Sequence, residues 1–170
     1  MKRACVLAIM VVLAVGAATV QAGQSGNCSP EGTWYGYNTF GDLWIITISR
    51  SGPNSYTTVM DDSANPLFPG VAQSTDWRGE FVKTGPGAYD WTTMAFWRAD
   101  DSGAFPPFVL GLCPLTAQFD GCNSWQGQGV CDLYGFFDVS DDPFETGLPL
   151  GPSDSLVANL KRMPMNYPIP

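Results

Sequence analysis

Short segments in which apolar and polar residues alternate, each cut off by Gly, Pro, Asn or Asp, recur along most of this chain. An extended backbone turns successive side chains to opposite faces, so a period of two marks strands with one buried face. The pattern predicts strands near 33–39, 43–50, 54–61, 75–84, 87–98, 106–112, 115–123 and 130–139. Their links are hairpin-like: "GPN" after Arg50, "TGPG" after Lys83, "DDSG" after Ala99, "CP" after Leu112 and a Gly-rich turn at 126–129. Consecutive strands with short turns favour an up-and-down antiparallel meander, and closing it removes the exposed edges. The expected fold class is therefore all-β, a closed barrel of about eight strands, with a two-sheet sandwich as the competing architecture. One stretch reads differently. In "SDSLVANLKRM", Leu156, Leu160 and Met163 recur on one helical face behind Ser153 or Asp154 as N-cap, which predicts a short C-terminal helix within a tail from about residue 140.

The first 22 residues read as a leader. Lys2 and Arg3 precede an apolar run from Ala4 to Ala18, and Val20-Gln21-Ala22 suits cleavage after Ala22. The run is shorter than the roughly 20 residues a membrane helix needs, so no stable membrane span is expected after cleavage. Residues 23–170 are then a single domain, secreted or periplasmic. Cys5 leaves with the leader, and Cys28, Cys113, Cys122 and Cys131 form an even set that reads as two disulfides. Three connectivities are open. Placing a hairpin turn at 126–129 favours Cys122–Cys131 across it, with Cys28–Cys113 as the second bond.

Composition excludes several chemistries. The chain has no histidine, which removes the usual zinc sites and any Ser-His or Cys-His nucleophile, and no cofactor or metal is expected. Removing Lys2 and Arg3 from the eight basic residues leaves six against sixteen acidic ones, a net charge of −10 that repels phosphate backbones. Nucleic acid is not an expected partner. The acidic loop "DVSDDPFETG" alternates Asp138, Ser140 and Asp142 as oxygen donors, but Pro143 stands where a calcium loop of the EF-hand type needs glycine, so it reads as a solvated turn.

"GTWY" at 32–35, followed within a dozen residues by a β-rich strand, resembles the Gly-x-Trp start of lipocalin-like and other calycin barrels. The resemblance implies that Gly32 and Trp34 close one end of the barrel. "RGEFVKTGPGAYDWTTMAF" from Arg78 to Phe96, with the "DDPF" at 141–144, is similar to uncharacterised secreted proteins of lipocalin-like type, and no activity comes with that likeness. Avidins also open on Gly-Thr-Trp-Tyr, but Gly36 stands where an avidin would offer a polar biotin contact, and biotin is not expected.

The alternation itself nominates a site. Trp77 and Phe81 share one face of their strand while Asp76, Arg78 and Glu80 share the other, and Trp44, Ile46 and Ile48 likewise point together. Trp44, Tyr56, Trp77, Phe81, Trp91 and Tyr134 are the candidate lining of a cavity for a small apolar or aromatic ligand, with Gln118 or Thr93 to orient it and the stretch 61–73 as a lid. In the competing reading these aromatics fill the barrel, and the loops at 61–73 and 140–152 engage a protein, as in an inhibitor. A third class is a histidine-free enzyme of the dirigent or cyclase kind, with Asp90, Asp120 or Asp132 beside Tyr134 as acid or base.

Overall fold

In the computed structural model, residues 28–63, 71–99, 106–138, 140, 142–151 and 153–164 are described. The leader, the centre of the expected lid at 64–70 and the expected turn at 100–103 lie outside them. Ten strands follow in order: β1 (Gly32–Asn38), β2 (Leu43–Arg50), β3 (Ser55–Asp62), β4 (Val71–Ser74), β5 (Trp77–Gly85), β6 (Ala88–Ala99), β7 (Phe108–Asp120), β8 (Ser124–Phe136), β9 (Leu148–Pro149) and β10 (Asp154–Arg162). Neighbouring strands pair antiparallel in the order β1-β2-β3-β5-β6-β7-β8, and β10 pairs with both β8 and β1. An eight-stranded antiparallel barrel is thereby closed, with β4 added against β6 and β9 against β8.

Each wall strand turns one parity inward. Trp34 and Gly36 of β1 stand opposite Ile46 and Trp44 of β2; Ile46 and Ile48 stand opposite Met60 and Thr58 of β3, and Met60, Thr58 and Tyr56 opposite Trp77, Gly79 and Phe81 of β5. Tyr89, Trp91, Thr93, Ala95 and Trp97 of β6 continue the inner surface to Val109, Cys113, Leu115, Ala117 and Phe119 of β7. At roughly 25 cal/mol per Å² of apolar surface, this interior is the main source of stability. Gly111 also faces in: a Cβ there would meet the Trp97 ring at 2.5 Å and that of Trp77 at 2.9 Å, so a glycine leaves these two indoles their space.

Three expectations are corrected. Residues 154–162 form no helix; they are β10, whose inward Leu156, Ala158, Leu160 and Arg162 complete the wall. Leu156 and Leu160 satisfy either periodicity, and the open edges of β1 and β8 decide for the strand. Second, 106–112 and 115–123 are not two strands, because β7 runs through Cys113-Pro114 as one 13-residue strand. Pro114 has no N–H to give. The β7–β8 register skips Cys113 and Pro114 while the β6–β7 register runs through them. Third, the Gly-rich 126–129 stretch lies within β8, and the turn falls at 121–123 with Gly121 at φ 70°, a left-handed conformation that suits glycine.

That displaced turn also re-pairs the cysteines. The disulfides are Cys28–Cys122 and Cys113–Cys131, not Cys122–Cys131 and Cys28–Cys113. Cys122 sits in the turn, and Cys131 lies beside Cys113 on the neighbouring strand, where the ladder is interrupted by Pro114. The bond staples the strands where a backbone donor is missing.

The two ends of the barrel differ. At one end short turns join β2 to β3, β5 to β6 and β7 to β8. At the other, the connections 63–76, 100–107 and 137–153 are long.

Candidate functional site

The short-turn end is built around Trp34. Its indole is fully buried, donates to the Pro30 carbonyl at 2.8 Å, and carries the Arg162 guanidinium 4.3 Å above the ring centroid. Arg162 also donates to the backbone oxygens of Glu31 at 2.7 Å, Ser29 at 2.6 Å and Cys122 at 3.0 Å. One side chain from the last strand thus joins the segment before β1 to the β7–β8 turn, and Cys28–Cys122 joins the same two pieces covalently. A final strand at 130–139 could not have supplied this arginine. Burial lowers the Arg162 pKa from its ordinary value. On the rim, the Ser29 hydroxyl and the Arg50 guanidinium hold the Glu31 carboxyl below its ordinary range. Gly32 stands opposite Ile48, beside the Arg162 side chain.

Replacing Arg162 by alanine removes the cation–π contact and hands the half-buried Glu31 carbonyl and the exposed Ser29 and Cys122 carbonyls to water. We expect a loss of about 1–2 kcal/mol, and the lysine variant recovers under half of it, because an ammonium lacks the planar fork that reaches three acceptors. Urea unfolding of the three proteins checks this.

Above Trp34 the rings form a continuous column. Trp34 meets Phe119 at 5.3 Å, Phe119 stacks on Trp125, Trp125 meets Trp91 at 5.5 Å, and Trp91 meets Trp44 edge-on at 5.9 Å. Phe81 stacks on Tyr89 at 4.7 Å, and Tyr89 contacts Tyr56 at 6.1 Å. Burial pushes the Tyr89 phenol above its ordinary pKa, with Tyr56 adding to the shift. Trp77 and Trp97 form a separate edge-on pair beneath the long loops at 5.3 Å.

Of the candidate lining, Trp44, Tyr56, Trp77, Phe81 and Trp91 are buried inside the barrel. Trp44 and Trp77 lie in the long-loop half, Phe81 and Trp91 midway, and Tyr56 toward the short-turn end opposite Arg50. Gln118 and Tyr134 do not join them. Both have the outward parity, Gln118 exposed and Tyr134 half-buried between Leu110 and Pro149. Thr93, the other orienting candidate, is buried inside and donates to the Arg78 carbonyl at 3.4 Å. Asp90 and Asp120 are exposed on the outer wall, and Asp132 shares the parity of Tyr134.

Polar groups inside the barrel are few, and their partners are informative. The Trp91 indole donates to the Thr58 hydroxyl at 3.1 Å. The indole nitrogens of Trp44 and Trp125, residues 3% and 2% exposed, have no acceptor among the described residues. An unmet buried N–H costs about 1–3 kcal/mol. Sequence reasoning did not single out Trp125, Thr58 or Arg162; continuing the period of two through 125–129 and 156–162 would have found Trp125 and Arg162, and through 56–60 Thr58.

Among the described residues no group of three acidic or cysteine side chains could hold a metal ion, and no helix is long and apolar enough to cross a membrane. In the 138–145 loop Asp138 accepts from the Ser140 backbone N–H and hydroxyl, both at 2.8 Å, which lowers its pKa, and Asp142 accepts from the Phe144 N–H. Compared with known proteins, the chain matches no family model and no curated sequence.

Proposed function

We propose that this chain is an exported, calycin-like barrel that holds a small aromatic or apolar guest carrying a hydrogen-bond acceptor, in the half of its interior beneath the long loops. The observation that carries the reading is the Trp44 indole N–H, buried on the inner wall with no acceptor among the described residues. A guest oxygen or nitrogen there would relieve the cost of that donor, while Met60, Trp77 and Trp91 supply apolar and ring contacts. The lipocalin-like part rests on the eight-stranded meander and on Trp34 of the first strand lying under Arg162 of the last. Two disulfides support export to an oxidising compartment.

Native mass spectrometry of protein from its own source, repeated under denaturing conditions, tests retention of a guest. For a defined probe, anilinonaphthalene sulfonate has aromatic rings and acceptor oxygens. It should quench tryptophan emission, and Trp44→Phe, which keeps an aromatic ring but loses the N–H, should weaken binding about 3- to 10-fold, the worth of one hydrogen bond. Equal affinity of the two proteins would remove Trp44 from the site.

A second reading follows from the unbroken ring contacts inside and from Phe40, Phe137, Phe144 and Leu148, each more than half exposed, on the connections at the long-loop end. In it the barrel is filled, and this rim engages a protein. No retained guest together with no probe binding favours it.

A further inference from the structure

The outer wall of β7, β8, β10 and β1 presents a surface that neither reading uses. Register places Gln118, Gln126, Asn159 and Tyr37 side by side across these four strands, and Asp120, Ser124, Lys161 and Tyr35 in the next row. All but the half-buried Ser124 are exposed, Tyr37 to 59% and Tyr35 to 37%. At about 4.8 Å between strands, each row is about 14 Å long.

The first row is uncharged, and its orientation is partly fixed. The Gln126 amide donates to the Asn159 side-chain oxygen at 3.0 Å, which turns the Gln126 oxygen and second hydrogen and the Asn159 amide nitrogen toward an outside partner. Gln118 is held by a longer bond to the Phe119 carbonyl at 3.4 Å. The wall is also grooved. A depression of about 710 Å³ runs along Gln118, Gln126, Asn159 and Lys161, and one of about 390 Å³ shares Gln118 and Gln126 with it and continues to Thr116 and Gln128.

We propose that this wall docks a neutral polysaccharide. Amides offer donors and acceptors together, which matches sugar hydroxyls that do both, and an exposed phenol ring can lie against the C–H face of a pyranose. A row spanning four strands suits a chain of sugars better than a single one. The net charge of −8 disfavours polyanions such as sulfated or uronic glycans. A protein partner would want a desolvated apolar centre, but here the centre of the row is amide and the aromatic groups stand at its edge.

The test is affinity electrophoresis of the disulfide-bonded protein in native gels cast with hydroxyethylcellulose, arabinoxylan, galactomannan or a soluble β-1,3-glucan, and with alginate as the anionic probe. At least one neutral glycan should retard migration and alginate should not. Tyr37→Ala and Asn159→Ala should each weaken that retardation at least 5-fold with tryptophan emission unchanged, while Val59→Ala on the opposite wall leaves it intact. Retardation by none of the neutral glycans, by alginate alone, or equally in all variants overturns the assignment. Interior binding of the aromatic probe is a separate readout, so either reading can fail without the other.

Discussion

Replacing Trp91 by alanine should destabilise the protein by about 3–5 kcal/mol, the range for truncating a large buried aromatic. Trp91 is fully buried and touches Trp44, Phe81 and Trp125, so its loss opens a hole in the middle of the ring column and not at one end. Rigid neighbours on a closed wall can collapse into that space only slightly, which places the effect toward the upper part of the range. The Thr58 hydroxyl also loses the indole donor at 3.1 Å. Trp91→Phe separates the two contributions: it keeps most of the volume, gives up the hydrogen bond, and should cost less than half as much. Urea unfolding followed by far-ultraviolet circular dichroism measures both. A loss under about 1 kcal/mol for the alanine variant would mean that the column is loosely packed there.

Opening the Cys28–Cys122 bond with a double serine variant should cost about 4.5 kcal/mol. The bond spans 94 residues, and constraining a loop of that length removes more denatured-state entropy than the 18-residue span of Cys113–Cys131, for which about 3 kcal/mol is expected. The longer bond also holds the segment whose carbonyls receive Arg162, so its removal should enlarge the tryptophan emission change seen at low urea. Non-reducing peptide mapping provides the companion check, with Cys28 in one linked peptide with Cys122 and Cys113 in another with Cys131. If the two serine pairs lose equal stability, loop length is not what sets these contributions.

The barrel was legible because its inner wall is written as a period of two. Trp44, Ile46 and Ile48, and Trp77 and Phe81 fall on the inner face that alternation assigns them, whereas on β6, where both sides carry large apolar groups, alternation alone does not choose and the structure turns Trp91 and Trp97 inward. Misreadings arose where local signals opposed a non-local requirement. Cys113-Pro114 looks like a turn, yet Val109, Cys113, Leu115, Ala117 and Phe119 keep one unbroken inner face through it. Splitting β7 there let each half choose its own face, which put Gln118 inside. Gly127 and Gly129 look like a turn too, but a Cβ at Gly129 would run into the Pro114 carbonyl and Leu115, and one at Gly127 would press on the Trp125 ring at 3.2 Å. Residues 154–162 satisfy helix and strand equally well, and only the unpaired edges of β1 and β8, far away in sequence, select the strand. The indole donor of Trp44 was visible as a residue but not as an unmet need, because a missing acceptor is a property of its surroundings.

The Met163 backbone N–H donates to the Thr33 carbonyl, and Cys28 is tied to the β7–β8 turn, so both described chain ends leave the barrel on the side of its short turns. Orientation on a support follows directly. Attached beside Cys28 or Met163, the barrel stands with its long connections facing away from the support.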